Sequence, residues 1–173
     1  MKFIFALLLA AVTSVTAQCP SCNELAPLFR SYNSGGIDHF YTATPGEVLS
    51  FGSSGYSPQG VAAGIFPTQI PGSTPLFRLY KSSVVDHAYT VSATEVDALL
   101  AEGYVLEQTP GYVYANQSCN SIPLYGLFLS SDNDHLYTTS VGEKNSAVSW
   151  GYVYEGITAY VPIAGVIVGD PAC

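Results

Sequence analysis

Short runs of alternating apolar and polar residues dominate the chain, and one such pattern occurs three times at a spacing of 48 residues. Pro27-Leu28-Phe29-Arg30 recurs at 75–78 and, as Pro-Leu-Tyr-Gly, at 123–126. In the same register, Asp38-His39-Phe40-Tyr41-Thr42 recurs at 86–90 and 134–138. The copies align without a gap, so the repeat predicts three similar structural units.

Each copy has the pattern of two short strands, a helix and two further strands. The first two runs are separated by a turn rich in Ser, Gly, Asp and Asn, which is typical of a hairpin. Next comes a capping box, which begins a helix, at Thr44 and Glu47, Ser92 and Glu95, and Ser140 and Glu143. After the glycines at 55, 103 and 151, two more β-type runs complete the copy.

Three copies of this pattern predict an all-β fold with twelve strands, a β-trefoil with pseudo-threefold symmetry. Each 48-residue repeat contributes four short strands and one short helix. A propeller would need at least about four blades. We expect a single trefoil domain over residues 27–173, with repeats at 27–74, 75–122 and 123–173.

The N-terminal residues follow a different pattern. Lys2 precedes an apolar run from Phe3 to Val12, and small residues end the segment at Ala17. This is the pattern of a secretory signal peptide, and it is shorter than the ~20 apolar residues that span a bilayer. We expect a signal peptide at 1–17, an N-terminal arm at 18–26, and a secreted, extracellular protein without membrane insertion.

The mature chain would keep four cysteines, namely Cys19, Cys22, Cys119 and Cys173. An even number in an exported chain predicts disulfides. We expect Cys19 and Cys22 to bond Cys119 and Cys173, in an order that the sequence leaves open. No second Cys pair or strand–helix unit accompanies Cys19-Pro-Ser-Cys22, so we expect no metal and no cofactor.

The mature chain is also strongly acidic, with four basic residues against thirteen acidic ones. Nucleic acid and anionic membrane surfaces are therefore disfavoured as partners. The copies differ at two charged positions: Gly126 replaces the arginine of the other two copies, and Gln59 stands where Glu107 and Glu155 stand. Asn116 begins an N-glycosylation acceptor pattern, Asn-Gln-Ser, and we expect it to be exposed.

The candidate ligand-binding residues are an aspartate, a histidine and a tyrosine that occur in every copy. They are Asp38, His39 and Tyr41, Asp86, His87 and Tyr89, and Asp134, His135 and Tyr137. A carboxylate beside an imidazole suits sugar hydroxyls, and the tyrosine, on the same strand face as the histidine, can stack on a sugar ring. The alternative is structural: the aspartate caps the turn, the histidine bonds the backbone, and the tyrosine is in the core.

The motifs Pro-Leu-Phe-Arg-Leu-Tyr, Asp-His-Ala-Tyr-Thr and Gly-Tyr-Val-Tyr-Glu-Gly, in that order three times over, resemble a known repeat family. That family has a β-trefoil fold and uncharacterised function, and it occurs in secreted fungal and bacterial proteins. The resemblance covers residues 27 to 163. It implies the trefoil fold and export, and a lectin-like role by analogy with other trefoils.

These patterns predict a secreted carbohydrate-binding, lectin-like protein with up to three weak equivalent sites for a glycan or polysaccharide, strengthened by multivalency. The alternative is a trefoil-type protease inhibitor or another protein-binding module that acts through a single exposed loop. The sequence support for that alternative is Pro67–Gly72, a stretch without a counterpart in the other copies.

Catalysis is not expected. Three histidines spread around a threefold axis could share one metal ion only if they lay close to that axis, so a metal site is not predicted. Acid–base hydrolysis needs two carboxylates about 5 to 10 Å apart, and we expect repeat-related carboxylates to lie farther apart than that. The chain also lacks a nucleophile motif such as Gly-x-Ser-x-Gly.

Overall fold

The computed structural model describes Cys19 and residues 25–163, so the predicted signal peptide, most of the N-terminal arm, Cys22 and Cys173 lie outside the described residues. The described strands are β1 (Ala26–Asn33), β2 (Asp38–Thr42), β3 (Tyr56–Ile65), β4 (Ser73–Lys81), β5 (Asp86–Thr90), β6 (Val105–Leu106), β7 (Gly111–Tyr114), β8 (Ile122–Leu129), β9 (Asp134–Thr138) and β10 (Val153–Val161). The helices are α1 (Pro45–Gly52), α2 (Ala93–Ala101) and α3 (Val141–Ser149).

All of the strand pairs are antiparallel, which confirms the predicted all-β class. One sheet has the order β2-β1-β3, and the other has the order β5-β4-β7-β10-β8-β9 with β6 beside β4. The first strand of each sequence copy therefore lies between its second strand and the strands after the helix. The hairpin register is the same in each copy, with Phe29 opposite Thr42, Phe77 opposite Thr90, and Tyr125 opposite Thr138.

The described residues form ten strands, so the expected twelve is wrong for this part of the chain. In the first and third copies the last two predicted strands are one bulged strand, β3 or β10. Gly60 and Gly156 lie at these bulges with φ of 96° and 130°, a conformation that glycine adopts without strain. The second copy has Gln108 at this position and Pro110, which has no N–H, soon after, so β6 and β7 stay separate.

The helices begin where the capping boxes predict, but the glutamates make other bonds. The hydroxyls of Ser92 and Ser140 accept the backbone N–H of Glu95 and Glu143, as predicted, whereas Thr44 makes no such cap. The N–H of Ser92 donates to Thr90 Oγ1, and that hydroxyl donates to Glu95 at 2.6 Å. A threonine at the end of the preceding strand therefore replaces the expected bond from the glutamate to the cap N–H.

The main core lies where the three copies meet. It contains leucines from β1, β4 and β8, tyrosines from β2, β5 and β9, and small or β-branched residues from β3, β7 and β10. These residues are Leu28, Tyr41, Ala63, Ile65, Leu76, Tyr89, Val113, Leu124, Tyr137, Ala159 and Val161. Strands β2, β5 and β9 contact one another. The position of the core therefore brings the Asp-His-x-Tyr-Thr strands to the centre of the molecule.

A disulfide joins Cys19 to Cys119, with 5.4 Å between the Cα atoms. This pairing confirms in part the prediction that the N-terminal arm is tied to the body, and it selects Cys119 for Cys19. The predicted partners Cys22 and Cys173 lie outside the described residues. Asn116 is exposed in the bend before Cys119, as an acceptor for N-glycosylation must be. Among the described residues, no helix has the length and apolar character needed to cross a membrane.

Candidate functional site

Three aspartates, one from each copy, lie together at the centre. Asp38, Asp86 and Asp134 are each fully buried, and oxygens of their carboxylates lie within 4.8 Å of one another. The expectation that repeat-related carboxylates lie far apart is therefore wrong for these residues. The β2, β5 and β9 strands begin at the aspartates, and the contact of these strands brings the side chains together.

Each aspartate bonds the histidine of a different copy, in a cyclic order. Asp38 accepts from the backbone N–H and Nδ1 of His87 at 2.9 and 2.6 Å. Asp86 bonds His135 at 3.0 and 2.7 Å, and Asp134 bonds His39 at 2.9 and 2.8 Å. The alternative in which each aspartate caps its own turn is therefore wrong.

A tyrosine hydroxyl completes the hydrogen bonds of each aspartate. Tyr56 donates to Asp38, Tyr104 to Asp86, and Tyr152 to Asp134. Burial, together with the charge of the aspartate that accepts its hydrogen bond, raises the pKa of each of these tyrosines. Each carboxylate therefore accepts three hydrogen bonds. Two of them come from the histidine of another copy, so these residues hold the copies together.

The tyrosines of the predicted site form a second ring of hydrogen bonds. The backbone N–H of Tyr41 donates to the Tyr89 hydroxyl at 2.7 Å, that of Tyr89 to Tyr137 at 2.8 Å, and that of Tyr137 to Tyr41 at 2.8 Å. All three side chains are buried. A ligand that arrives from solvent has no access to these tyrosines or to the aspartates, so they belong to the core.

The histidine rings of the predicted site differ in exposure. His87 is fully buried, His39 is buried with 8% of its surface exposed, and His135 is half-buried. Nδ1 of each ring is bonded to aspartate. Each ring also packs on an aromatic residue of its own copy: Tyr32 on His39, Tyr80 on His87, and Phe128 on His135, with ring centroids 4.4 to 4.6 Å apart.

A cavity of about 400 Å³ opens beside His87, where the first and second copies meet. Its lining comes from the end of β1, the end of α1 and the start of β3 in the first copy, and from β4, β5 and their turn in the second. The lining residues are Asn33, Phe51, Ser54, Tyr56, Tyr80, Val85, His87 and Glu107. We call this cavity the His87 cleft.

The His87 cleft combines an aromatic wall with polar groups. Tyr80 lies at 27° to the His87 ring plane and 4.4 Å from it. Glu107 is held beside β4, where its N–H donates to the Arg78 carbonyl and its carboxylate lies 2.8 Å from Arg78 Nε. His87 Nε2 is 3.9 Å from that carboxylate. Burial, and then the charges of Asp38 and Glu107, raise the pKa of Tyr80, so its hydroxyl stays neutral.

The turn before β5 positions Val85 at the rim of the cleft in an unusual conformation. Its φ is 56°, in the left-handed region that β-branched residues avoid. The third copy has Asn133 at the same position with φ of 55°, and asparagine tolerates this region. The first copy has Ile37 at this position with φ of 53°, so the left-handed conformation follows the repeat and is not peculiar to the cleft.

The equivalent positions beside His39 and His135 have different lining residues. Beside His39, Gln59 replaces Glu107 and Leu129 replaces Asn33. Beside His135, Glu155 keeps the glutamate and Lys81 replaces Asn33. Sequence reasoning missed Tyr80 and Glu107 as site residues, although an aromatic residue occurs at the position of Tyr80 in every copy. That recurrence, with the Gln/Glu position, was the signal that could have found them.

The loop that favoured a protein-binding function does have a counterpart. In Pro67–Gly72, Ile70 N–H donates to Ser73 Oγ at 2.9 Å, and Ser73 N–H returns to the Ile70 carbonyl at 3.0 Å. The second copy repeats both bonds between Ser118 and Ser121, at 3.0 and 2.9 Å. The expectation that this loop has no counterpart is therefore wrong, and its geometry follows the repeat.

The pair of His135 with Asp86 predicts a pH dependence of stability on the alkaline side. Burial lowers the pKa of His135, but the hydrogen bond and charge of Asp86, with Glu155 and Asp134, outweigh it and raise the pKa. A raised pKa contributes stability below the unfolded value of about 6.5, and this contribution is lost as pH rises through the folded pKa. We expect the free energy of unfolding in urea to fall as the pH rises above about 6.5, and to fall less in His135→Gln. A flat or rising profile in the native protein would contradict this.

The chain is thus an antiparallel all-β domain with a central ring of buried aspartate–histidine pairs and a cleft between its first two copies. It belongs to the family described as "Domain of unknown function (DUF5648)", which matches residues 27–162. Neither a curated protein nor a solved structure matched the chain.

Proposed function

We propose that this protein binds carbohydrate, and that the His87 cleft is its principal site. The observation that carries the proposal is the lining of the cleft, where the half-buried Tyr80 and Phe51 lie beside Glu107 and Asn33. A sugar ring presents an apolar face, on which an aromatic ring can stack, and a rim of hydroxyls that bond carboxylates and amides. The volume suits a ligand of one or two sugar units.

The charge of the cleft favours neutral or amino-bearing sugars. Glu107 places a carboxylate in the lining, and the chain as a whole has a formal net charge of −8. An acidic sugar would bring a second negative charge into this environment. Nucleic acid is disfavoured for the same reason.

We infer a pseudo-threefold arrangement of the three copies, which is the symmetry of the predicted β-trefoil. Three cyclic sets of contacts support it: aspartate to histidine, tyrosine hydroxyl to tyrosine N–H, and the mutual contact of β2, β5 and β9. Because the linings differ, the three boundaries would be unequal in affinity, with the His87 cleft the strongest. Additional weak contacts at the other two would add avidity on a polysaccharide.

We infer that the protein acts outside the cell. The disulfide between Cys19 and Cys119 supports this location, since disulfides persist in oxidising compartments. The N-terminal apolar segment has the pattern of an export signal.

A glycan array of the mature protein, followed by titration of Tyr80→Ala, tests the proposed site. We expect a neutral or amino-bearing glycan to bind, and the substitution to weaken its binding about tenfold or more, through loss of roughly 1.4 kcal/mol or more of stacking. The matched control is Tyr32→Ala, at the same repeat position, whose ring packs on His39 at 4.6 Å. No glycan bound, or equal losses in two folded variants, would refute the assignment.

The second variant, Glu107→Gln, tests the polar side of the cleft. The first copy already has Gln59 at this position, so the backbone accepts glutamine. We expect an amino-bearing glycan to lose more affinity than a neutral one, because the substitution removes the charge and keeps the shape. The same titration of both glycans measures this, and identical losses would contradict the role given to the carboxylate.

A further inference from the structure

Two boundaries between copies contain an arginine that is held by a glutamate of the neighbouring copy. Arg78 bonds Glu47 through both Nη atoms at 3.0 and 3.1 Å, and Glu107 lies 2.8 Å from its Nε. Arg30 bonds Glu143 through both Nη atoms at 2.9 Å. Burial alone would raise the pKa of Glu47 and Glu143, but the bonds from arginine outweigh it and lower the pKa.

The repeat predicts a third boundary of this kind, between the second and third copies, and this boundary has no arginine. The position equivalent to Arg30 and Arg78 is Gly126, whereas both carboxylates are retained as Glu95 and Glu155. Both glutamates are exposed, in contrast with the half-buried Glu47 and Glu143. Within residues 25–163, no lysine or arginine nitrogen lies within 4.0 Å of either carboxylate.

A second substitution accompanies the loss of the arginine. A Cβ built on Gly126 would lie 2.4 Å from Thr158 Oγ1, so this hydroxyl stands where the stem of an arginine would begin. The other copies have Ala62 and Pro110 at that position, and neither has a hydroxyl. An arginine at position 126 would therefore clash with Thr158, because the Thr158 hydroxyl oxygen occupies the space that the arginine Cβ needs.

The two glutamates also share one electrostatic environment. Partial burial of the Glu155 carboxylate raises its pKa. The charges of Glu95 and Asp86 raise this pKa further, and His135 partly opposes the rise. His135 does not take the place of the missing arginine, because its repeat equivalent, His87, lies beside Glu107 in the copy that keeps Arg78. A monovalent cation that approaches Glu95 and Glu155 would relieve their repulsion.

We propose that Glu95 and Glu155 form a binding site for a guanidinium group that comes from outside the chain. The observation that points to this ligand is independent of the acidic pair. The equivalent glutamates, Glu47 and Glu107, hold the guanidinium of Arg78, and Glu143 holds that of Arg30. Carboxylate and guanidinium form paired, parallel hydrogen bonds, which gives this site a preference over simple metal cations. The site is separate from the His87 cleft and does not depend on carbohydrate binding.

The guanidinium could belong to a free small molecule or to an arginine side chain of another protein, and one experiment separates the two. Methylguanidinium, a short peptide with one arginine, and the same peptide with lysine are titrated into 15N-labelled protein. We expect shifts of the Glu95, Glu155 and Thr158 amides with methylguanidinium, and smaller ones with the lysine peptide. Binding of the arginine peptide at least as tightly as methylguanidinium assigns the site to a protein partner, and binding of methylguanidinium alone assigns it to a small molecule. No shift with either guanidinium ligand overturns the proposal.

Variants test whether these residues make the site. The double variant Glu95→Gln with Glu155→Gln keeps both shapes at exposed positions, and we expect guanidinium binding to fall about tenfold or more as the charged pairs are lost. The matched control is Glu102→Gln, an exposed glutamate at the end of α2, which should bind as the native protein does. Equal binding by the double variant and the control would refute the assignment.

Two further variants test the proposal from the opposite side, one by adding an arginine at the third boundary and one by removing an arginine from the first copy. Gly126→Arg combined with Thr158→Ala recreates the pair found at Arg30 and Ala62, and we expect it to abolish binding from outside. Arg30→Gly opens a vacancy beside Glu143 in which Gln59 stands at the position of Glu155, and methylguanidinium should raise the unfolding temperature of this variant more than that of the native protein. No such increase would contradict the premise that these carboxylates recognise a guanidinium.

Discussion

Replacement of Asp86 by alanine is expected to lower the free energy of unfolding by about 3–5 kcal/mol, which is the range for loss of one member of a buried charged pair. The carboxylate is fully buried and accepts from His135 N–H, His135 Nδ1 and the Tyr104 hydroxyl. Alanine would leave all three donors without a partner inside the protein. Because a domain of this size is stable by only about 5–15 kcal/mol, much of that margin would be lost.

Urea unfolding followed by circular dichroism measures this loss. The control is Asp97→Ala, which removes an exposed aspartate from α2 and replaces it with the best helix former. We expect the control to change the free energy of unfolding by less than about 0.5 kcal/mol. A similar small change in Asp86→Ala would mean that the aspartate ring does not hold the copies together.

The second large effect is expected from Tyr89→Phe, which removes a single oxygen from the core. The Tyr89 hydroxyl accepts from the Tyr41 N–H at 2.7 Å and donates to the Tyr41 carbonyl at 2.8 Å. Phenylalanine keeps the ring but leaves two buried backbone groups unsatisfied, at about 1–3 kcal/mol each, so we expect a total loss of about 2–6 kcal/mol.

The same unfolding experiment on Tyr112→Phe provides the comparison. Tyr112 is half-buried, and in the described part of the chain its hydroxyl makes no hydrogen bond. We expect this variant to stay within about 0.5 kcal/mol of the native protein. If both variants lost the same stability, the tyrosine ring of hydrogen bonds would have no special role.

The sequence predicted the local elements well, because their signals lie within one copy. Alternation around Leu28 and Leu76 predicts the first strands, and Ser92 with Glu95 predicts where α2 begins. The merging of strands in the first and third copies depends on Gly60 and Gly156, whose backbone conformation at a bulge does not show in an apolar–polar pattern. The twelve-strand expectation failed at this point.

The site was harder to predict, because its contacts run between copies. The sequence singled out the aspartate, histidine and tyrosine of each copy, and the structure places them in the central core. Nothing in the local pattern shows that Asp38 bonds His87, since the two residues are 49 positions apart and meet only after the copies assemble. The cleft has the same origin, because Tyr80 and Phe51 come from different copies.

Mapping of bound glycan on 15N-labelled mature protein, with the strongest ligand from the array, tests the proposed binding site most directly. We expect amide shifts that centre on Asn33, Tyr56, Tyr80 and Glu107, and that disappear in Tyr80→Ala but persist in Tyr32→Ala. Shifts that centre instead on Pro67–Gly72, or that survive unchanged in Tyr80→Ala, would contradict the assignment of carbohydrate binding to the His87 cleft.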